Sequence, residues 1–385
     1  MNKELKTISI LGANRITPIK GIASVLKEDG IEAIFYEQKS NVYFDLDGMN
    51  LSICSENAEF PQTPFIIFSE YWLSKLIEQD KNVFHPIAEK ALKASRSKLF
   101  LSNILSHYNI PFVHRKLLNS KNNTILKKGA IVRPDCAYSG KGVKYIRNNI
   151  SLSQYLQDVA PELSGTMNFV MPSKSINYIE EEYIAGEEYS CDVIISNYGT
   201  KILRVCYKNI QWCHGSPSTR AYLTVPLSQE MKAAILSWCN ILFDLNFDLS
   251  FAQFDFIKGK DKLFYPIDFS ARVGSGLGHL LSFALDNKNL YAEAILFALG
   301  RKNDILFPRE NHAVFVYTPE YPDRVKRVDI KWPFEFKTVS NDEILPSVFT
   351  TPPYKKILIL SRVKSIENFT YLANNINDFV TVRYS

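Results

Sequence analysis

"FAQFDFIKGKDKLFYPIDFSAR", residues 251–272, predicts two antiparallel strands joined by a short turn. Successive side chains of a strand point to opposite faces, so Gln253 and Asp255 share one face of the first strand. For the same reason three residues share a face of the second strand: Asp268, Ser270 and Arg272. The hairpin therefore gathers two carboxylates, an amide, a hydroxyl and a guanidinium on one side. A solvated face of an ordinary antiparallel sheet produces the same alternation.

The register of this hairpin decides whether Asp255 and Asp268 meet. A turn centred near residues 259–260 would offset the two carboxylates by about 13 Å along the strands. A turn centred near residues 261–262 would place them directly opposite each other, about 5 Å apart. Only the second register lets both carboxylates supply oxygen ligands to one magnesium ion or to a pair.

A second stretch, "EEEYIAGEEYSCD" (residues 180–192), is densely acidic for a strand. It is typical of an exposed acidic edge strand, whose charges oppose aggregation. The same residues would suit a hinge between two domains, where backbone N–H and C=O groups meet a flat base and a glutamate binds ribose hydroxyls. Taken alone, the edge strand is the simpler interpretation.

A third stretch, "RPDCAYSGKGVKYIR" (residues 133–147), places glycines and basic side chains after an apolar run. It is not a Walker A loop, because G-x-x-x-x-G-K-[ST] is absent. A glycine-rich loop between two strands can still close over phosphates, with inward-pointing amides and added positive charge. A hairpin with solvated lysines is the competing interpretation.

Composition limits the classes of function. A chain of 385 residues, with 46% hydrophobic and 22% charged residues, predicts a globular protein of several domains. The net charge of +5 comes without a Lys/Arg block, which argues against a nucleic-acid partner. No apolar run is long enough to span a membrane, and the N-terminal residues do not predict a signal peptide. The six cysteines are scattered without a C-x-x-C pair, which predicts free thiols in a reducing cytoplasm.

Hydrophobic spacing predicts the other elements. Residues 7–37 predict a strand, a helix and a strand of a parallel sheet, and residues 64–72 a further strand. Helices are predicted over 86–107 with a break at "ASRS", from a cap at Ser228 to Leu245, and from a cap at Asp286 or Asn287 to Gly300. "SLSQYLQDV" (151–159) predicts a short helix and "NFVMPS" (168–173) the start of a strand. The C-terminal part predicts strands at 313–318 and 355–363 and a helix at 365–376.

In this order and at these separations, the three stretches resemble the ATP-grasp superfamily over about residues 1–305. "SKLFLSNILSHYNIPFV" (97–113), "IVRPDCAYSGKGV" (131–143), "EEYIAGEEYSCD" (181–192) and "DFSAR" (268–272) carry the resemblance. It implies an α/β (α+β) fold with ATP-grasp architecture. The implied domains are an N-terminal parallel α/β domain (1–93), a connecting helical segment (94–123), a small β-rich lid (124–185), an antiparallel-sheet ATP-binding core (186–305) and a C-terminal α+β region (306–385).

The resemblance also implies a site for ATP and Mg²⁺, with Mn²⁺ as an alternative. The residues that would bind ATP are Lys98, Arg133, Ser139, Gly140, Lys141, Gly142, Glu181, Glu182, Tyr183, Ile184, Glu188 and Lys208. The residues that would hold the metal are Asp255, Asp268 and Ser270. Three positions depart from the family pattern: Arg133 stands for lysine, Asp268 for glutamate and Ser270 for asparagine.

The implied reaction is the ADP-forming activation of a small-molecule carboxylate and its transfer to an amine, with Arg272 and Lys141 as catalytic residues. The residues that would contact substrate are Arg272, Gly274, Ser275, Gly276, His279 and Arg220. Residues 271–300 and 346–369 look most like amino-acid ligases, whereas "AYSGKG" and "GLGH" are similar to bicarbonate-activating phosphoribosylaminoimidazole carboxylases. A non-catalytic ATP-binding regulatory module is the third alternative.

Two further expectations concern the substrates and the assembly. Residues 209–225 form either an acceptor-site loop, with Trp212, His214 and Arg220 as contacts, or a plain surface loop. The sequence does not specify an oligomeric state, for which a homodimer is the commonest default.

Overall fold

The chain is a mixed α/β protein, as the sequence predicts. The computed structural model describes residues 7–12, 16–38, 50–54, 60–61, 64–78, 89–118, 124–136, 140–170, 176–213, 215–244, 249–272, 289–305, 307, 310–321, 324–339 and 357–384. Within these ranges no helix is long and apolar enough to cross a membrane.

The N-terminal unit is a parallel sheet in the order β3-β2-β1-β4. Its elements are β1 (Thr7–Leu11), α1 (Ile16–Glu28), β2 (Glu32–Gln38), β3 (Asn50–Cys54), β4 (Phe65–Ile67) and α2 (Glu70–Glu78). The parallel pairing of β1 with β2, Ile8 opposite Ala33, confirms the predicted strand–helix–strand unit. The strand predicted over 64–72 is shorter than expected, because Glu70 already begins α2.

Two helices, α3 (Glu89–Arg96) and α4 (Lys98–His107), follow. Ser97 separates them with extended backbone, and its Oγ accepts a hydrogen bond from the Phe100 N–H, which makes it the N-cap of α4. The predicted break at "ASRS" is therefore confirmed. Helix α4 ends at His107, and Asn109 follows with φ of 55°.

Small strands surround one long helix within residues 124–181, a segment predicted to form a lid and called the lid here. Its elements are β6 (Ile125–Leu126), β7 (Ile131–Pro134), β8 (Lys144–Tyr145), β9 (Ile150–Ser151), α5 (Leu152–Val170) and β10 (Tyr178–Glu181). A four-stranded sheet, β5-β10-β7-β8, also takes in β5 (Arg115–Leu117) from the connecting segment. Buried Val132, Ile146, Tyr155 and Val159 give these residues a core of their own.

The strand predicted at "NFVMPS" is wrong for residues 168–170, which lie in α5; residues 171–175 fall outside the described ranges. The helix is longer than predicted because its apolar face continues. Leu152, Tyr155, Val159 and Leu163 recur every three or four residues and are buried, so packing sustains the helix past Pro161.

The core is one antiparallel sheet of eight strands, called here the core sheet, in the order β15-β14-β11-β12-β13-β16-β19-β18. Before the C-terminal region, the strands of this sheet and the two helices that follow them in the chain are β11 (Gly186–Ser196), β12 (Gly199–Cys213), β13 (Ser216–Thr224), α6 (Gln229–Leu242), β14 (Ser250–Gly259), β15 (Phe264–Ser270) and α7 (Leu290–Ala298). The loop expected over 209–225 is wrong, since all but its short turn belongs to β12 and β13. The backbone N–H and C=O groups of these residues are satisfied by hydrogen bonds between β12 and β13.

Two helix boundaries of the core differ from those expected. Helix α6 begins after its predicted cap, Ser228, but ends at Leu242, because Phe243 has extended backbone. Helix α7 is capped by Asn289, whose Oδ1 accepts from the Ala292 N–H. The two caps expected at 286 and 287 lie outside the described ranges.

The two faces of the core sheet have different roles. One face is apolar and packs on α6, where the Trp238 ring lies 5.4 Å from the rings of both Phe254 and Phe256. The other face, called here the site face, bears polar side chains that meet the lid. At the end of this face away from the two aspartates, Ile194, Leu203 and Phe251 pack against helix α7 and the N-terminal sheet.

The C-terminal region continues the same sheet. It contributes β16 (His312–Tyr317), β17 (Val325–Ile330), β18 (Phe336–Val339), β19 (Ile357–Arg362), α8 (Ile366–Asn374), α9 (Ile376–Phe379) and β20 (Val380–Tyr384). Buried Phe315, Trp332 and Phe369 form its own cluster. The strands and the helix predicted in this region are present.

Candidate functional site

A β-bulge brings the two aspartates of the hairpin together. At the tip, Lys258 pairs with Phe264 and Phe256 with Pro266, so the turn is centred on Asp261. That register alone would set Asp255 opposite Ile267. The register shifts between Asp255 and Phe256, and Asp255 therefore pairs with Asp268. With the bulge, the structure has the pairing expected of a turn near residues 261–262, in which the two carboxylates lie directly opposite each other.

Asp268 is held by two cations from different parts of the chain. The Lys98 Nζ, at the start of α4, lies 3.2 Å from the Asp268 Oδ1. The Arg133 guanidinium, at the end of lid strand β7, lies 3.7 Å from Oδ2 and 3.6 Å from the Glu181 Oε1. Burial alone would raise the pKa of Asp268, but Lys98 and Arg133 outweigh it and lower this pKa, so the carboxylate is ionised at neutral pH.

Asp255 is held by a different cation, Lys208 on β12. The Lys208 Nζ donates to the Asp255 Oδ2 at 3.1 Å and also to the Glu188 carboxylate on β11. Burial alone would lower the pKa of Lys208, but the charges of Asp255 and Glu188 outweigh it and raise it. Burial raises the pKa of Glu188, and Lys208 opposes that rise. Lys208 is therefore a permanent cation beneath two carboxylates.

The acidic stretch connects the lid to the core, as a hinge would. Strand β10 ends at Glu181 and β11 begins at Gly186, and residues 182–185 between them, called here the hinge, lie in neither strand. The Glu182 N–H donates to the His114 carbonyl, and the Glu182 Oε1 accepts from the His114 N–H. No backbone hydrogen bond within the described ranges uses the amides or carbonyls of Tyr183 and Ile184. Those groups remain available for a flat base.

The exposed acidic edge that the same stretch suggested is not what the structure shows. Strand β11 is central in the core sheet, paired on one side with β12 and on the other with β14. Ser190 and Asp192 are buried within it. Glu188 faces Lys208 rather than open solvent.

The described part of the glycine loop rests on the tip of the β12–β13 hairpin. The Lys144 Nζ donates to the Ser216 Oγ at 2.6 Å, and the Tyr145 N–H donates to the Gly215 carbonyl. Gly142 has φ of +70°, and a Cβ there would lie 2.9 Å from the Pro134 Cδ, so only glycine fits. Gly140 and the half-buried Lys141 belong to the same turn, and residues 137–139, with Ser139, lie outside the described ranges.

The remaining predicted residues fall into three groups. Ser270 and Arg272 are buried at the end of β15, two and four residues beyond Asp268. Arg220 is not brought into this cluster by any recorded contact, since its Nε donates to Gln211 across the hairpin. Several predicted contacts lie outside the described ranges: His214, Gly274, Ser275, Gly276 and His279.

Sequence reasoning missed two residues of the site. Tyr222 on β13 lies opposite Lys208, and burial raises the pKa of its phenol. The alternation of β13 could have indicated it once that strand was recognised. Arg115, on β5, donates to the Glu181 Oε2 at 2.8 Å, and nothing in its local sequence marks it.

These groups suit a magnesium–nucleotide ligand. Mg²⁺ usually takes one or two protein carboxylates together with water and phosphate oxygens. Asp255 and Asp268 are opposed and only partly exposed (22% and 28%), which fits the protein's share of such a site. The buried Nε of Arg133 has no hydrogen-bond partner within the described ranges, so it keeps a donor for a phosphate oxygen.

A comparison with known protein families matches the central part of the chain. Residues 126–278 match the family model of the ATP-grasp domain. A comparison with curated protein sequences finds no match.

Solved structures share the fold over nearly the whole chain. The L-amino acid ligase from Bacillus licheniformis superimposes with a TM-score of 0.67 at 14% identity, covering 100% of both chains. The N5-carboxyaminoimidazole synthetase from Staphylococcus aureus complexed with ADP gives 0.61 at 14% identity over 97% of this chain and 98% of that one. The biotin carboxylase domain of the Hydrogenobacter thermophilus 2-oxoglutarate carboxylase, in complex with MgADP, ADP and bicarbonate, gives 0.62 at 13% identity over 100% and 92%.

Proposed function

We propose that this chain, which carries an ATP-grasp domain over residues 126–278, is an ADP-forming ligase that joins a carboxylate to an amine. One observation carries the proposal: Asp255 and Asp268 lie directly opposite each other on the site face, and each is paired with cations. Two opposed carboxylates with Lys98, Arg133 and Lys208 around them are what a metal-bound triphosphate requires.

ATP would lie between the lid and the core sheet. The unpaired backbone groups of Tyr183 and Ile184 would bind the adenine, and Glu188 would bind the ribose once it parts from Lys208. Arg133 and the turn of Gly140, Lys141 and Gly142 would contact the phosphates from the lid side. Mg²⁺, held by Asp255, Asp268 and the Ser270 hydroxyl, would supply charge neutralisation at the β- and γ-phosphates.

In the first step, an oxygen of the substrate carboxylate attacks the γ-phosphorus, and the bond from that phosphorus to the β-phosphate oxygen breaks. The products are an acylphosphate and ADP. Lys98, Arg133 and Lys208 provide fixed positive charge where negative charge accumulates. Closure of the lid excludes water, which would otherwise hydrolyse the acylphosphate.

In the second step, the amine attacks the acyl carbon, inorganic phosphate leaves, and the amine proton passes to solvent. Arg272 is buried beside Ser270 at the end of β15, and its guanidinium would stabilise the tetrahedral oxyanion. Residues 273–279 would follow it into the acceptor site. The carboxylate and amine are small molecules, and an amino acid or a small peptide is the proposed product class.

The amino-acid ligase is preferred over a bicarbonate-activating enzyme because residues 271–300 and 346–369 look most like amino-acid ligases. The Bacillus licheniformis L-amino acid ligase covers both chains in full at a TM-score of 0.67, above those of the two carboxylating relatives. Likeness at 14% identity supports the fold alone, so the substrates rest on this proposal. The cytoplasmic location and the homodimer also stay predictions.

A screen of ATP cleavage tests the function. The purified chain is mixed with ATP, Mg²⁺ and pools of amino acids, and ADP is measured alongside mass spectrometry of new amides. ADP that forms in step with a new amide supports the ligase. ADP that depends on bicarbonate, with no amide in any pool, would refute it.

The conservative variant Asp268→Asn tests the metal assignment. It keeps the size of the side chain but removes the charge opposite Asp255, so ADP formation should fall by about 100-fold or more. Asp304→Asn, at an exposed residue whose carboxylate pairs with Lys201 and accepts from the Ile305 N–H, is the matched control and should leave ADP formation unchanged. Unchanged ADP formation by Asp268→Asn would show that the metal lies elsewhere. A wild-type chain that binds ATP but releases no ADP in any pool would indicate a regulatory module.

A further inference from the structure

The geometry points to Arg115 as the residue that positions the metal-binding aspartate and the phosphate-binding cation relative to each other. We infer this role from four hydrogen bonds that join separate parts of the chain, and it deepens the function proposed above. Arg115 contacts none of the groups that would react, so it is a positioning residue and not a catalytic one.

The Arg115 side chain is completely buried (0% exposed) and its hydrogen bonds are short. Its Nε donates to the Glu181 Oε2 and its NH2 to the Ile267 carbonyl, both at 2.8 Å. Its NH1 donates to the Lys98 carbonyl at 2.8 Å and to the Ser102 Oγ at 2.9 Å. A guanidinium has five N–H donors in a fixed plane, and four acceptors surround this one.

Three of the four acceptors belong to residues of the proposed site or to a direct neighbour of one. Glu181 shares its carboxylate between Arg115 on Oε2 and Arg133 on Oε1. Lys98 places its ammonium on Asp268. Ile267 is the extra residue of the bulge in β15 and directly precedes Asp268. Arg115 therefore holds Lys98, Arg133 and Asp268 in place through its hydrogen bonds to Lys98, Glu181 and Ile267.

The bulge needs this arginine for a physical reason. A bulge leaves one residue outside the regular ladder of backbone hydrogen bonds. In β15 that residue is Ile267, and its carbonyl accepts from Arg115. Without the donor, this half-buried carbonyl would lose its partner, and a regular ladder would become more favourable. A regular ladder would set Ile267 opposite Asp255 and turn Asp268 to the other face.

The charge of Arg115 matters as well as its shape. Glu181 is buried between Arg115 and Arg133. Removal of Arg115 would leave Arg133 as the only recorded cation on Glu181 within the described ranges, and the guanidinium of Arg133 would move toward it. That movement would take Arg133 from Asp268 and from the phosphate position.

Arg115→Lys is the informative variant, because it keeps the charge but offers one donor group in place of a planar fork. Each variant is tested by two measurements. The first is hydrogen–deuterium exchange of the peptide that covers β15, and the second is the affinity for ADP, measured by calorimetry with and without Mg²⁺. We expect faster exchange in β15 and a loss of about 10- to 100-fold in the Mg²⁺-dependent part of ADP affinity.

Arg204→Lys is the matched control. Arg204 is also a buried arginine of the core region, and its Nε donates to the Asp192 Oδ2 at 2.9 Å. Its partners include Asp192, Ser190 and Cys206, and none of these three is assigned to metal or phosphate in the proposed site. We expect it to lower thermal stability while the Mg²⁺-dependent part of ADP affinity stays the same. Ser102→Ala removes a single acceptor of Arg115 and should give a smaller change of the same kind.

The outcomes separate this inference from the proposed function. Faster exchange in β15 together with lost Mg²⁺ dependence supports the role of Arg115. Faster exchange with Mg²⁺ dependence intact would show that Arg115 is only structural, and unchanged exchange in β15 would refute the role directly. If no pair of substrates yields an amide while Arg115→Lys still loses Mg²⁺-dependent binding, the ligase fails and the positioning role stands.

Discussion

Lys208→Met tests the electrostatics of the site through stability, without any ligand. The variant keeps most of the length of the side chain but removes the ammonium from Glu188 and Asp255. Removal of one partner of a buried ion pair costs about 3 to 5 kcal/mol. The side chains of Glu188 and Asp255 are 21% and 22% exposed, so solvent weakens the penalty. We therefore expect the free energy of unfolding to fall by about 3 kcal/mol at pH 8, near the lower end of that range.

This loss depends on pH with a definite sign. Burial raises the pKa of Glu188 in the folded protein, and without Lys208 that pKa rises further. A group whose folded pKa lies above its unfolded value contributes stability that is present below the unfolded pKa and lost as the pH rises through the folded pKa. The difference in free energy of unfolding between wild type and Lys208→Met should therefore be largest at pH 8 and become smaller toward pH 5. Each unit of additional pKa shift corresponds to about 1.4 kcal/mol.

Urea unfolding at pH 5 and pH 8, followed by tryptophan fluorescence, measures the free energy of unfolding. Adding Glu188→Gln to Lys208→Met should remove most of the pH dependence, because the group that titrates is gone. Lys201→Met is the control, since its pair with Asp304 is exposed and its removal should change little at either pH. A deficit of equal size at both pH values, or a larger one at pH 5, would refute the ion-pair geometry.

Three further substitutions test the lid, the core and a helix cap. Gly142→Ala should lower the free energy of unfolding by about 1 to 3 kcal/mol and speed limited proteolysis of the lid, because φ is +70° and the new Cβ would meet Pro134. Unchanged proteolysis would contradict this geometry. Trp238→Ala should lower the free energy of unfolding by about 3 to 5 kcal/mol, as the side chain is buried in the core; a loss below about 1 kcal/mol would show a different packing. Ser228→Ala should cost about 1 kcal/mol by removing the acceptor for the Met231 N–H, whereas Ser228→Thr should cost less.

Much of the fold follows from local patterns. The strand–helix–strand unit at the N-terminus, the break at Ser97, the cap at Ser228 and the hairpin of β14 and β15 are all present as predicted. Each of these depends on side chains within a few residues of one another, which is why the sequence reveals them. The site residues on alternating positions, Asp255 and Asp268 above all, follow from the same rule.

The failures have a common cause. Helix α5 runs past Pro161 because a packed apolar face outweighs a local helix breaker. Residues 209–225 form strands because the end of β12 pairs with β13, and β13 pairs in turn with β16, which is remote in sequence. Burial and pairing with distant segments decide such elements, and propensity over a short window does not contain that information.

The sequence by itself determined the inventory of the site: two aspartates thirteen residues apart, a glycine loop with Arg133, an acidic hinge and their order along the chain. Only the tertiary structure decided the register that makes the inventory a site. The bulge at Ile267 turns Asp268 toward Asp255, and the guanidinium that satisfies it comes from Arg115, which lies 152 residues away. Alternation along a strand is a local property, whereas the choice between two registers depends on which distant donor the chain brings to one carbonyl.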